Sequence, residues 1–242
     1  MILPEFRNSS GERLDSTFHP AGRDDVLVIL AHGLTGNKDR PLLANLAQGL
    51  SARGWPCLRI SFSGNGGSEG DFRAANISKE CGDLRAILDA LPAGIKVAYA
   101  GHSMGSAVGL ISAANDPRIR VLISLAGMIR TSAFFHREFG AVIPDEGCMW
   151  DEPDFPLSRR FADDLQSIGD LLEPAVSLTA PWLLIHGEAD DVVLSEDSRD
   201  AYHRANEPKR LVEIPGADHA FDETSYPMIV NEAAAWLERH LL

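Results

Sequence analysis

The sequence predicts an α/β protein: a mostly parallel sheet of eight strands, with helices on both faces and one long insertion. Two observations carry this. Short, uninterrupted apolar runs recur along the chain, as expected of strands buried on both faces. Between them lie stretches with apolar residues at helical spacing, so strand and helix alternate as in βαβ crossovers. The 242 residues suit a single domain of this class, spanning residues 1–242.

Taken in order, Ile2–Arg7 and Arg13–His19 flank the turn sequence Asn8-Ser9-Ser10-Gly11, which predicts an antiparallel hairpin. Val26–Ala31 is the longest apolar run and ends at His32-Gly33. Leu42, Leu43, Leu46 and Leu50 mark a helix that Gly54 stops. Cys57–Ile60 is the next strand, followed by the glycine-rich Ser63-Gly64-Asn65-Gly66-Gly67. Leu84, Ile87, Leu88 and Leu91 give a second helix. Val97–Ala100 is a strand, and the small-residue stretch Met104–Ala114 is a helix close to the sheet. Val121–Leu125, Trp182–Ile185 and Leu211–Ile214 complete six strands beyond the hairpin, with helices over Asp197–Ala205 and Glu223–His240.

The segment from Ile129 to Pro174 breaks the rhythm. It carries Phe134, Phe135, Phe139, Met149, Trp150, Phe155 and Phe161 among prolines and charges. A connection this long is expected to be a functional insertion.

Composition removes several function classes. Asp plus Glu number 35 against 22 Lys plus Arg, a net charge of −13, which argues against a nucleic-acid backbone or an anionic membrane as partner. No apolar run approaches the ~20 residues that span a bilayer. Cys57, Cys81 and Cys148 are odd in number and form no CxxC pair, so neither a disulfide framework nor a zinc site is expected. A reducing, cytoplasmic setting fits. The first residues lack the basic and apolar regions of a secretory signal, a secreted form with its signal removed being the alternative. Nothing in the sequence sets an oligomeric state.

Gly101-His102-Ser103-Met104-Gly105 is the strongest local signal. It matches G-x-S-x-G, with a strand before it and a helix after it. The chain must turn sharply at Ser103, and glycines two residues either side avoid collision as the backbone folds back. The turn lifts the hydroxyl above the sheet, making Ser103 a candidate nucleophile. A serine needs a base. Among eight histidines, His219 sits in a late loop between the last strand and the last helix, whereas His203 and His240 fall on predicted helices. The acid that orients the base is sought after strand Trp182–Ile185, at the carboxyl edge of the sheet. There Asp190 and Asp191 compete, with Glu188 behind them. For the oxyanion, one donor is the backbone N–H after the nucleophile, Met104; the loop His32–Gly36 offers the other, assigned to Leu34. His32 is expected to be a structural hydrogen bonder.

These residues resemble the α/β-hydrolase superfamily over nearly the whole chain, and within it the single-domain esterases grouped with cinnamoyl (feruloyl) esterases and serine aminopeptidase-like hydrolases. The matching stretches are Ala31–Asp39, Phe62–Phe72, Gly101–Gly105, His186–Val193 and Gly216–Phe221. The resemblance implies that Asp190, four residues after the histidine of the HG turn, is the acid. It also implies that residues 129–174 form a small cap over the pocket, and that no cofactor or metal is needed.

The activity implied is hydrolysis of small-molecule carboxylic esters through an acyl-enzyme on Ser103, with Asp190 and His219 as partners. Phe134, Phe135 and Trp150 are candidate pocket walls, and an aromatic lining would suit hydroxycinnamoyl or other medium-sized acyl groups. Acyl transfer or amide cleavage on the same triad is the second reading. A ligand-binding protein that has kept the fold without catalysis is the third.

Overall fold

The computed structural model describes all residues, 1–242. The apolar runs become the strands of a seven-stranded sheet in the order β3-β5-β4-β6-β7-β8-β9. These are β3 (Ser16–His19), β4 (Val26–Ala31), β5 (Cys57–Ile60), β6 (Lys96–His102), β7 (Ile119–Leu125), β8 (Trp182–Gly187) and β9 (Lys209–Ile214). All neighbours pair in parallel except β3, which runs antiparallel to β5.

The strand count differs from the expected eight. Only Phe6–Arg7 (β1) and Arg13–Leu14 (β2) form the predicted hairpin, as a separate two-stranded sheet. Asp15 is where the chain leaves it: its N–H donates to Ser68 Oγ at 2.8 Å and its carbonyl accepts from Ser61 N–H at 2.8 Å. The residues that follow it, Ser16–His19, are thereby handed to the edge of the main sheet.

Period-two alternation sorts each strand between two cores. On β4, Leu27, Ile29 and Ala31 join the larger cluster, while Val26, Val28 and Leu30 face the other. The second cluster is closed by α1 (Pro41–Ser51) and α8 (Tyr226–His240). The first is covered by α2 (Ile77–Ala90), α3 (Met104–Asn115) and the helices after β7. Small residues bring α3 onto the sheet. A methyl group on Gly109 would run into the Tyr99 ring.

Between β7 and β8 there is no strand, but the segment is ordered into α4 (Thr131–Phe139), a single 3-10 turn at Met149–Asp151, α5 (Arg159–Ile168) and α6 (Leu172–Ser177). Its helices are short because Gly140, Pro144, Pro153, Pro156 and Gly169 interrupt them. They are held by apolar packing of Phe134, Phe139, Phe161 and Leu165 into the larger core. A last helix, α7 (Ser195–Arg204), joins β8 to β9. No helix is long and apolar enough to cross a membrane, and the three cysteines are unpaired.

The strand order reverses at β4. The chain passes from β4 outward to β5, then returns to lay β6 on the other side of β4. The carboxyl ends of β4 and β6 thus adjoin at the switch point, the place where open α/β sheets hold ligands.

Candidate active site

Ser103 lies between β6 and α3 with φ 52° and ψ −119°. This is a left-handed, strained conformation for a serine, enforced by its surroundings. A side chain on Gly101 would collide with the Gly105 carbonyl, and one on Gly105 with the His32 carbonyl. The loop after β4 presses equally close: a Cβ on Gly33 would stand 2.7 Å from Ser103 Cβ. The two predicted oxyanion donors flank this point. Neither Leu34 N–H nor Met104 N–H has an acceptor within the protein.

His32, at the end of β4, holds that loop. It is 1% exposed, its Nδ1 donates to the Gly33 carbonyl at 2.7 Å, and its Nε2 accepts from Phe62 N–H at 3.0 Å. Burial pushes its pKa down to about 4, so the ring is neutral, as its one-donor, one-acceptor pattern requires.

His219 sits in the loop between β9 and α8. Its Nδ1 donates to Asp190 Oδ2 at 2.8 Å. Asp190 is the carboxylate of its loop that meets this histidine; Asp191 and Glu188 point into solvent. Asp190 itself is buried and saturated. Oδ1 accepts from the N–H groups of Val192 (3.0 Å) and Val193 (2.9 Å), and Oδ2 accepts a second ring N–H, from His186 Nε2 at 3.1 Å. Burial alone would raise its pKa. The hydrogen bonds from His186 and His219 outweigh burial and hold the carboxyl well below the usual carboxylate range. It is therefore an anion at neutral pH.

His186 and His102 complete the group, and the sequence reading gave neither a role. His186 ends β8, fully buried. Its Nε2 faces only acceptors, Asp190 Oδ2 and the Val193 carbonyl (2.9 Å), so it carries the proton there, while Nδ1 meets Ser198 Oγ at 2.7 Å. A polar residue closing an otherwise apolar strand was the available signal. His102, the variable position of the G-x-S-x-G stretch, donates from Nε2 to the His219 carbonyl at 2.8 Å. Its ring lies 4.8 Å from that of His219. Burial, then the nearby His219, drive its pKa down to about 3, so it remains a neutral prop under the loop.

Ser103 and His219 open onto one cavity of about 490 Å³. No hydrogen bond joins Ser103 Oγ to His219; contacts between a nucleophile and its base tighten in the complex with substrate. Phe134 and Trp150 from the β7–β8 connection, Val192, Phe221 and Tyr226 supply apolar wall. Phe135 does not, contrary to the sequence-based expectation. Successive helix positions point about 100° apart, so with Phe134 on the cavity Phe135 turns into the core, near Phe139. Met149 and Phe139 are likewise core residues. Four of the seven non-glycine residues with positive φ line this cavity: Thr35, Ser103, Trp150 and Phe221. Backbone strain is concentrated here, as at functional sites generally.

Residues 28–233 match the model of the alpha/beta hydrolase family. The chain belongs to this family. An uncharacterized protein of Mycobacterium tuberculosis is 31% identical over 230 residues, covering 90% of this chain and 74% of the relative. Among solved structures, Est1E from Butyrivibrio proteoclasticus with bound ferulic acid superimposes with a TM-score of 0.86 at 24% identity, covering 98% of this chain and 99% of the other. The esterase domain of a Rhodothermus marinus protein does so with a TM-score of 0.78 at 23% identity, over 99% and 98% of the two chains. The fold is that of the α/β hydrolases.

Proposed function

We propose that the protein is a serine esterase that cleaves small carboxylic esters through an acyl-enzyme. The observation that carries this reading is the buried Asp190–His219 hydrogen bond of 2.8 Å opening onto the cavity that holds the strained Ser103. In this mechanism Ser103 Oγ attacks the ester carbonyl while His219 Nε2 takes its proton. The N–H groups of Leu34 and Met104 hold the oxyanion. The proton passes from His219 to the leaving alcohol. Water, deprotonated by the same nitrogen, then releases the acid and restores Ser103. Asp190 keeps the proton of the resting ring on Nδ1 and stabilises the imidazolium that forms.

The α4–α6 segment, with Trp150 and Phe134 over the cavity, is read as a small cap that sets acyl preference. The aromatic wall favours medium-sized or aromatic acyl groups, and the ferulic acid in the Est1E structure supports hydroxycinnamoyl esters as a first choice to assay. Nothing in the donor set calls for a metal.

A fluorophosphonate probe tests the assignment. It is expected to label Ser103 stoichiometrically, abolishing ester turnover, and to leave Ser103→Ala unlabelled. Labelling of another serine, with turnover intact in Ser103→Ala, would overturn it.

A further inference from the structure

The cavity wall contains one permanently charged side chain, Arg40, and no carboxylate. The remaining titratable residues on it are His32 and His102, both held neutral, together with His219 and Tyr226. Arg40 precedes α1, and its guanidinium donates one hydrogen bond, to the Thr35 carbonyl at 3.1 Å. That places it, exposed, against the Gly33–Gly36 loop, on the wall of the cavity that also holds Ser103. Arginine has five N–H donors in a planar fork, so most of its donors remain free.

No acidic side chain neutralises it. The adjacent Asp39 is engaged by Lys38 at 2.8 Å and by Arg59 at 2.9 Å, and Arg40 forms no ion pair. Its field reaches the site. Burial is the main reason that His32 and His102 resist protonation, and the Arg40 charge adds to it for both. The rest of the molecule works in the opposite sense. With a net charge of −13, the long-range field repels anions, so an anionic substrate needs a local cation to be held.

We propose that the esters taken by this site carry a carboxylate or similar anionic group, bound by the Arg40 guanidinium at the mouth of the cavity while the aromatic wall holds the apolar part. This rests on the esterase reading above and narrows it: the substrate is an amphiphilic ester, apolar around the scissile bond and anionic at one end.

Two pairs of esters that differ by one charge test this. The para-carboxyphenyl and para-carbamoylphenyl esters of butyric acid place the anion on the alcohol side. The para-nitrophenyl monoesters of terephthalic acid and of its monoamide place it on the acyl side. Comparing the anionic-to-neutral ratio of kcat/KM between wild type and variants cancels intrinsic reactivity. In Arg40→Gln this ratio is expected to fall about tenfold in at least one pair, mainly through KM, as for loss of a charge-assisted contact. Arg40→Lys, which keeps the charge, should retain most of it. Ratios that stay equal across wild type, Lys and Gln in both pairs would overturn the proposal; Arg40 would then only be holding the Thr35 loop.

If the wild type cleaves no ester, the esterase reading fails by itself, and calorimetry decides the Arg40 question separately. Terephthalate monoamide should then bind tighter than the neutral diamide to wild type and lose that advantage in Arg40→Gln. Equal binding of the two to wild type would again overturn the proposal.

Discussion

Two sides of the cavity are built on different principles. The Ser103 side is backbone against backbone: strand ends β4 and β6 approach so closely that Gly33, Gly101 and Gly105 have no room for a methyl group. The opposite wall is side chain against side chain. Trp150, 42% exposed, meets Phe139 edge to face with ring centroids 4.8 Å apart and donates from Nε1 to Glu138 at 3.1 Å, and Arg137 reaches the Val192 carbonyl. Groups that must sit within a fraction of an ångström are fixed by main chain, which sequence drift cannot easily move. Groups that define a shape are fixed by contacts that a single substitution can redraw.

Breaking the first side should produce the largest effects. Ser103→Ala is expected to lower ester turnover about 10⁴-fold or more with the fold intact by circular dichroism. Asp190→Asn should cost about 10²-fold or more, because an amide in place of the carboxylate disturbs the tautomer of His219. Asp191→Asn should change turnover less than about threefold. An inactive Asp191→Asn would reassign the acid.

Stability separates the regions next. Gly105→Ala drives a methyl group into the His32 carbonyl, and a loss of about 3 kcal/mol is expected from the urea midpoint. Phe135→Ala, a truncation in the core behind the opposite wall, should cost a similar ~3 kcal/mol yet leave the preference between acetyl and bulky aromatic esters unchanged. A shifted preference would return Phe135 to the cavity wall.

Acid should weaken the β4–β6 side through His32. Its folded pKa, about 4, lies below the ordinary 6.5, so between these values the unfolded chain binds more protons. Its contribution is complete above pH ~6.5 and is lost progressively down to pH ~4, on the order of 3 kcal/mol. His102 acts in the same sense, over a window that extends down to about pH 3. Asp190, its pKa depressed, loses its contribution only as pH falls below the ordinary carboxylate value. Urea midpoints measured from pH 7.5 to 4 should therefore fall, and fall less steeply in His32→Gln. An unchanged slope in that variant would exclude His32 as a source. At Trp150→Ala the expected effect is on selectivity: a shift of about tenfold in the ratio of bulky aromatic to acetyl ester turnover, with little loss of stability.

The same contrast explains what could be read in the sequence. Strands buried on both faces need continuous apolar runs, so Val26–Ala31 and Cys57–Ile60 are visible to the residue. The elbow is visible because steric closeness demands glycine at fixed spacing. Less was legible where structure depends on partners distant in sequence. Ser16–His19 has the pattern of a hairpin strand and pairs instead with β5, because Asp15 is captured by Ser61 and Ser68. The α4–α6 segment has short helices whose stability comes from the core beneath them. His186 and His102 act through hydrogen bonds to residues that only the fold brings near, so residue type alone did not distinguish them from other histidines.

The saturated carboxylate of Asp190 also bears on how the molecule opens. Its four donors come from three pieces of chain: the end of β8, the turn at Val192–Val193, and the loop carrying His219. Detaching any one leaves a buried charge short of a partner, at a cost of several kcal/mol. The three pieces therefore have no cheap half-released state. They fray together or stay closed together, a cooperative unit whose fastener is a single anion, and His186 extends it through Ser198 to the helix behind.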